Sequence, residues 1–374
     1  MSLPIVSIIS CFDYQIDRVR LAVTQVLAPL GGISAVVAKG QRVLLKPNML
    51  SARTPDKAVT THPAVLEAMI EQVRSVGGIP VVGDSPSGAI KGVKRCWENT
   101  GFLDVCQRTG TELINFERAG AEPRTVGQRT YHIAKPVLEA DVVINLPKMK
   151  THGFTLYTGA IKNLYGTLPG FQKANFHKLY PNPRSFSRLL VEIYALIRPT
   201  LTLMDGITGM EGDGPATGTR RDNGLLVAAH DGVAMDAVVT HLMGFKPGEV
   251  EMIRIAGEVG VGEAELGRID VRGVTLQSTA LTGYDLPSNR LMSLIPEGLM
   301  RFMGRMIWVR PAVEKSRCVS CGICAEGCPV DAIVMKQGYP VFDYALCINC
   351  LCCNESCSEG AIKQRLSWLA RRFG

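Results

Sequence analysis

Val142-Val143-Ile144-Asn145-Leu146-Pro147-Lys148-Met149-Lys150-Thr151-His152 is a short apolar run that passes directly into a polar end. Apolar runs of similar length recur at 5–9, 42–46, 79–83, 112–116, 201–204, 225–229 and 269–274. Helix-length stretches stand between many of them, at 16–30, 63–76, 183–197, 233–244 and 248–259. Short apolar runs separated by helix-length segments predict an α/β body, a mostly parallel sheet with helices on both faces. The region 1–285 exceeds a usual domain, so the expectation leaves room for two lobes.

In a parallel sheet, ligands bind beyond the carboxyl ends of the strands. Four of the predicted strands have polar ends: Lys46-Pro47-Asn48, Asp84-Ser85-Pro86, Lys148 to His152, and Asp205-Gly206 followed by Glu211 and Asp213. If these strands are parallel, one rim gathers lysines, carboxylates and a histidine. The stretch 151–177 adds Lys162, Asn163, Lys173 and His177 among glycines, with few acids to pair the lysines. Unpaired lysines beside flexible backbone suit a carboxylate or phosphate ligand. The candidate anion contacts are Lys46, Asn48, Ser85, Lys148, Lys150, Lys162 and Asn163. Asp84, His152 or His177 are the candidates for moving protons, since histidine titrates near neutral pH. Asp205, Glu211 and Asp213 are candidates for a divalent cation bound through oxygen. Each piece also has a bland reading as a turn, a solvated loop or a structural hydrogen bond. The glycine-rich 205–218 stretch matches neither the dinucleotide fingerprint nor the P-loop.

Composition excludes other classes. Of 374 residues, 46% are apolar and 20% charged, an ordinary globular balance. The net charge of +7 is carried by two stretches. Arg290, Arg301, Arg305 and Arg310 stand against Glu297, and Lys363, Arg365, Arg371 and Arg372 have no acid among them. The rest is formally neutral, so no basic groove for nucleic acid is indicated. The greasiest stretch, 291–308, is broken by Pro296, Glu297, Arg301 and Arg305, too often for a transmembrane helix. With no basic, apolar leader, a cytoplasmic location is expected.

Nine of the 12 cysteines lie between Cys318 and Cys357. Cys318, Cys321, Cys324 and Cys328 follow the pattern C-x2-C-x2-C-x3-C, and Cys347, Cys350, Cys353 and Cys357 repeat it 29 residues later. Ala332-Ile333 recurs as Ala361-Ile362 at the same displacement. Two copies of one small unit follow. Three cysteines at three-residue intervals wrap one cubane cluster, and the fourth points to the cluster of the other half. Structural zinc is the rival reading, because C-x2-C pairs also bind it.

Residues 314–364 resemble the bacterial two-cluster ferredoxins. The resemblance implies one 4Fe-4S cluster on Cys318, Cys321, Cys324 and Cys357, and a second on Cys328, Cys347, Cys350 and Cys353. Ser358 departs from the proline usual after the second run, and Cys352 is an additional thiol. It is a packing residue, a redox group or a substitute for Cys353. The stretches 146–152 and 159–166, with Lys46-Pro47-Asn48, Thr61-His62-Pro63 and Gly83-Asp84-Ser85-Pro86, resemble the family called domain of unknown function 362, over about 40–245. That resemblance implies a fold, a frequent ferredoxin-like tail and no established reaction. A remote similarity to the N-terminal domain of nickel-pincer lactate racemases implies a related α/β scaffold only.

The expected organisation is an α/β body (1–285), an amphipathic linker (286–313), a ferredoxin-like α+β unit (314–364) and a basic tail (365–374). The linker packs the two parts together or, in the rival reading, lies on a membrane surface with the tail. The expected function is an iron–sulfur oxidoreductase that relays electrons from a redox partner protein to an anionic small molecule or cofactor. The alternative is a non-enzymatic carrier or assembly subunit of a larger redox complex.

Overall fold

The computed structural model describes residues 3–86, 93–180, 182–274, 281–288, 309–328, 330–349 and 351–368. The α/β body is built on one sheet of ten strands. Its first strands are β1 (Ile5–Ser10), β2 (Arg42–Pro47), β3 (Ile79–Asp84) and β4 (Glu112–Asn115). A separate antiparallel hairpin follows, β5 (Ala121–Val126) with β6 (Arg129–Ala134). The sheet resumes with β7 (Val142–Leu146), β8 (Lys148–His152), β9 (Leu156–Thr158), β10 (Leu201–Glu211), β11 (Thr219–Ala229) and β12 (Asp270–Gly273). The order across it is β12-β1-β11-β10-β7-β2-β3-β4, with β8 on β10 and β9 on β8. Pairing is parallel except where β11 meets β1 and β10, and where β9 meets β8. The body is therefore α/β and mostly parallel, and the two lobes allowed for are corrected to one continuous sheet.

Both faces of the sheet are covered. Val43, Leu45, Val142, Ile144 and Leu146 join one core, while Leu44 and Val143 point to the other. Each such burial contributes about 1.5–3 kcal/mol, so apolar runs without polar alternation are what a two-sided sheet selects. The helices Ile16–Leu27 and Pro63–Ser75 cover the first face; Pro183–Ile197 and Gly232–Met243 cover the second. Their starts are encoded locally: Asn182 accepts from Arg184 N, and Asp231 accepts from Val233 and Ala234 N.

The 205–218 stretch departs from expectation. β10 continues to Glu211 and turns back into β11. A Cβ on Gly209 would lie 2.4 Å from Asn223 Nδ2, so this glycine serves close strand approach.

The cysteine-rich unit runs wider than 314–364. Strand β13 (Val309–Val313) pairs antiparallel with β16 (Ile362–Leu366), so the ends of the unit close on each other. Between them β14 (Ile333–Lys336) pairs with β15 (Tyr339–Phe342). The linker at 289–308 and the tail beyond 368 lie outside the described residues, as do Cys350 and Pro329. Among the described residues no helix is long and apolar enough to cross a membrane.

Candidate functional site

Strands β3, β2, β7 and β10 are consecutive neighbours and mutually parallel, so their carboxyl ends share one rim. The polar run after β7 is itself a strand. In β8 alternate residues face the same way, which groups Lys148, Lys150 and His152 apart from Met149 and Thr151.

Two of the expected anion contacts have other work. Lys46 Nζ lies 2.8 Å from Asp84 Oδ1, with both side chains buried. The second Asp84 oxygen accepts from Met49 N at 2.8 Å. A Cβ on Gly166 would fall 2.1 Å from Asp84 Oδ1, so glycine there makes room for the pair. Lys148 Nζ donates to Asp205 Oδ2 (2.8 Å), Tyr14 Oη (2.7 Å) and Thr208 Oγ1 (3.1 Å). Tyr14 Oη donates to Asp205 Oδ1 at 2.8 Å, and its ring stacks on His62 at 3.6 Å. Burial works against both ammonium groups, and the adjacent carboxylates work for them. The structure thus places Lys46 and Lys148 in buried ion pairs, with Asp84 as the partner of Lys46.

The remaining polar candidates sort in the same way. Lys150 Nζ donates to Asn48 Oδ1 (2.9 Å) and the Val59 carbonyl (2.6 Å). Asn48 Nδ2 donates to Asn163 Oδ1 at 2.9 Å, and Asn163 Nδ2 to Asn145 Oδ1 at 2.8 Å. This amide chain binds β2, β7 and β8 together and occupies Asn48 and Asn163. Ser85 is held between Glu117 and Lys173, whose Nζ donates to the Ser85 carbonyl at 2.7 Å. The three acids named for a divalent cation are not brought together. Asp205 belongs to the Lys148 pair, and Glu211 pairs with Arg221 at 2.7 Å. Among the described residues no group of three or more His, Cys, Asp or Glu is placed to hold a single metal ion.

What stays available is His152, Lys162 and their neighbours. His152 is buried, and its Nδ1 accepts from Phe154 N (3.0 Å) and Thr155 N (3.3 Å). Those two donors fix the ring proton on Nε2. Nε2 has no hydrogen-bond partner among the described residues. Burial holds the imidazole well below its ordinary range, with Lys162, His177 and Lys150 adding to the effect. Lys162 is half-buried over the Tyr165 ring at 5.9 Å and donates no hydrogen bond among the described residues. Burial lowers its pKa. His177 stacks on Phe186 at 4.3 Å, and burial followed by Lys162 lowers it to about 3. Both imidazoles are neutral at pH 7.

Asp236 was not anticipated. It accepts from Ala160 N (2.7 Å), Ile161 N (3.0 Å) and Tyr157 Oη (3.1 Å). It thereby anchors the turn Ala160–Asn163 that carries Lys162. Burial pushes its carboxyl up to about 7. Its signal in the sequence is one acid inside the apolar run 232–243, since such a residue is seldom buried without partners.

The cysteine unit shows its repeat in three dimensions. The short helices Ile323–Glu326 and Cys352–Ser356 start 29 residues apart, and its core is Cys324, Ile333, Cys353 and Ile362. Cys328 Sγ accepts from Ala332 N, and Cys357 Sγ from Ala361 N, each at 3.2 Å. Burial pushes the Cys324 thiol up to about 11, and the charges acting on it include Cys357, Cys321 and Cys318. Cys328, Cys347 and Cys353 line one pocket, closed by apolar side chains including Pro311, Val330 and Leu351. Each grouping crosses between the motifs, as a fourth-cysteine exchange requires. Sulfur donors in an apolar shell suit an iron–sulfur cluster.

The unit touches the rim. Cys352 and Glu355 act electrostatically on Lys162, and Glu355 also on Lys150. Arg95 Nη2 donates to Ser358 Oγ at 3.0 Å.

Comparison with known proteins defines the class. Residues 43–241 match the family described as "Domain of unknown function (DUF362)", and residues 311–334 match the 4Fe-4S binding domain. The chain belongs to the DUF362 family and carries a 4Fe-4S binding domain, a motif that points to electron transfer. A thylakoid-associated protein of Synechocystis sp. is 34% identical over 258 residues, covering 68% of this chain and 79% of its own length. NADH-quinone oxidoreductase subunit I of Blochmanniella pennsylvanica is 35% identical over 74 residues, 19% of this chain and 40% of that subunit. The lactate racemase apoprotein of Thermoanaerobacterium thermosaccharolyticum is a distant structural likeness, with a TM-score of 0.41 at 12% identity over 65% of this chain and 57% of that one.

Proposed function

We propose that this chain is a two-cluster iron–sulfur relay that exchanges electrons between a redox partner protein and an anion bound at His152 and Lys162. In this reading Cys318, Cys321, Cys324 and Cys357 hold one 4Fe-4S cluster, and Cys328, Cys347, Cys350 and Cys353 hold the other. When bound, each cluster passes one electron at a time. The observation that carries the anion is the buried His152 Nε2–H without an acceptor. An orphaned buried donor costs about 1–3 kcal/mol, and a carboxylate or phosphate oxygen removes that cost. Lys162 supplies the charge and sits within electrostatic reach of both His152 and the Cys352–Ser356 helix. The likeness of the cysteine-rich stretch to subunit I supports a protein partner, and it favours the carrier or assembly-subunit reading as the second choice.

The test uses the full chain purified without oxygen. Native mass spectrometry is expected to find two 4Fe-4S clusters. Inorganic phosphate or malonate is expected to raise the unfolding temperature, and Lys162→Met to abolish that rise with iron content unchanged. Two clusters with no anion response in the wild type would replace the anion-reducing relay with the carrier reading. Zinc in place of iron would end both.

A further inference from the structure

The surroundings of the two cysteine sets differ, and one arginine of the α/β body makes the difference. Arg53, beyond the carboxyl end of β2, is 6% exposed. Its Nε and Nη2 are buried and have no hydrogen-bond partner among the described residues. A guanidinium is a permanent cation with five donors, and it does not shed its charge to suit a dry site. Burying three of those donors unsatisfied is unfavourable unless an acceptor is close.

The cysteine unit lies directly against this guanidinium. A Cβ on Gly360 would lie 3.0 Å from Arg53 Nη2 and 3.2 Å from Nη1, so the guanidinium is pressed against the chain just after Cys357. Arg317 Nη2 is 3.4 Å from the same point. Gly360 N donates to the Cys357 carbonyl at 3.1 Å, which folds this turn around the Cys357 sulfur. Cys357 is the foremost opposing charge acting on Arg53, ahead of Glu359. The pocket of Cys328, Cys347 and Cys353 has only apolar companions.

We propose that Arg53 turns its buried, unpartnered N–H groups to the cluster that Cys357 ligates, and so makes that cluster the higher-potential member of the pair. This rests on the two-cluster reading above. Reduction adds one negative charge to a cluster. A fixed cation and N–H donors at its sulfurs stabilise the more negative state, and exclusion of water keeps the effect unscreened. Electrons then run downhill from the apolar cluster to the one clamped against the α/β body. Arg53 is a tuning residue, not a ligand.

The test is a redox titration followed by electron paramagnetic resonance, on the full anaerobic chain carrying eight irons. Arg53→Met is expected to weaken reduction of one cluster at least tenfold, a fall of about 59 mV for one electron, and to leave the other midpoint in place. The signal that moves is the one altered by Cys318→Ser. Arg53→Lys keeps the charge without the fork and is expected to retain most of the wild-type midpoint. Both midpoints unmoved, both moved alike, or a cluster lost from both Arg53 variants would overturn the proposal. Fewer than eight irons in the wild type would instead defeat the two-cluster reading on which it rests.

Discussion

Replacing Asp84 with asparagine tests whether the rim is held by buried charge pairs. Asp84 and Lys46 are 4% and 0% exposed and 2.8 Å apart. In Asp84→Asn the ammonium loses its counter-charge, and the one remaining oxygen cannot serve both Lys46 Nζ and Met49 N as the two carboxylate oxygens do. Removing one member of a buried pair costs about 3–5 kcal/mol, because the survivor is left uncompensated. At about 2–4 °C per kcal/mol for a body of this size, the unfolding temperature should fall by roughly 6–20 °C. The double variant Lys46→Met, Asp84→Asn removes both charges and should recover at least half of that loss. Thermal unfolding followed by circular dichroism at pH 7 on anaerobic protein measures all three. A loss below about 1 kcal/mol in the single variant, or a double variant equal to the sum of the singles, would refute the argument. A group that moved protons in catalysis and bore no structural load would leave the unfolding temperature alone.

Asp236 gives a pH signature. Its carboxyl is raised from 3.8 to about 7, so between those values the unfolded chain releases a proton that the native chain keeps. Its contribution to stability should therefore fall as pH rises from about 4 to 7, by about 4 kcal/mol, and then level off. Asp236→Asn should be less stable yet flatter in pH; an unchanged slope in urea titrations at several pH values would count against it. Removing iron with a chelator under oxidising conditions should expose the 309–366 unit to protease while the sheet body resists. Among the described residues the unit's core is Cys324, Ile333, Cys353 and Ile362 with a few partly buried neighbours, too little to hold without bound iron–sulfur. Cleavage spread evenly over both parts would show that the unit is stable by itself.

What the sequence made legible was what repeats or alternates. The parallel core strands followed from short apolar runs, and the doubled cysteine unit from a displacement of 29 that the structure repeats in Ala332 and Ala361. The shared rim followed from the strand ends once the strands were parallel. What stayed hidden depended on partners far apart in the chain. Lys46 and Lys148 look like free lysines until Asp84 and Asp205 arrive from neighbouring strands. Tyr14 reaches Asp205 across 191 positions, with no local pattern to announce it. The glycines of 205–218 resemble a loop because a glycine that admits a facing strand and one that opens a turn look alike in a sequence.

The pairing of lysines also decides how the crevice can work. A rim with every lysine ion-paired would be a structural seam, and one with every lysine free would repel itself and resist folding. Here Lys46 and Lys148 are neutralised by Asp84 and Asp205, Lys150 by no carboxylate but by Asn48 and a carbonyl, and Lys162 by no hydrogen bond among the described residues. Direct ion pairing thus ends at Lys46 and Lys148, and towards Lys150 and Lys162 the opposing charge is Glu355 of the cysteine unit, acting electrostatically. His152 Nε2–H and the Cys352–Ser356 helix act at that same end. An anion arriving there would neutralise Lys162 and satisfy His152 in one step, and would raise the lowered pKa values of both groups. In the proposed relay the anion therefore belongs at the least compensated end of the rim, beside the cysteine unit.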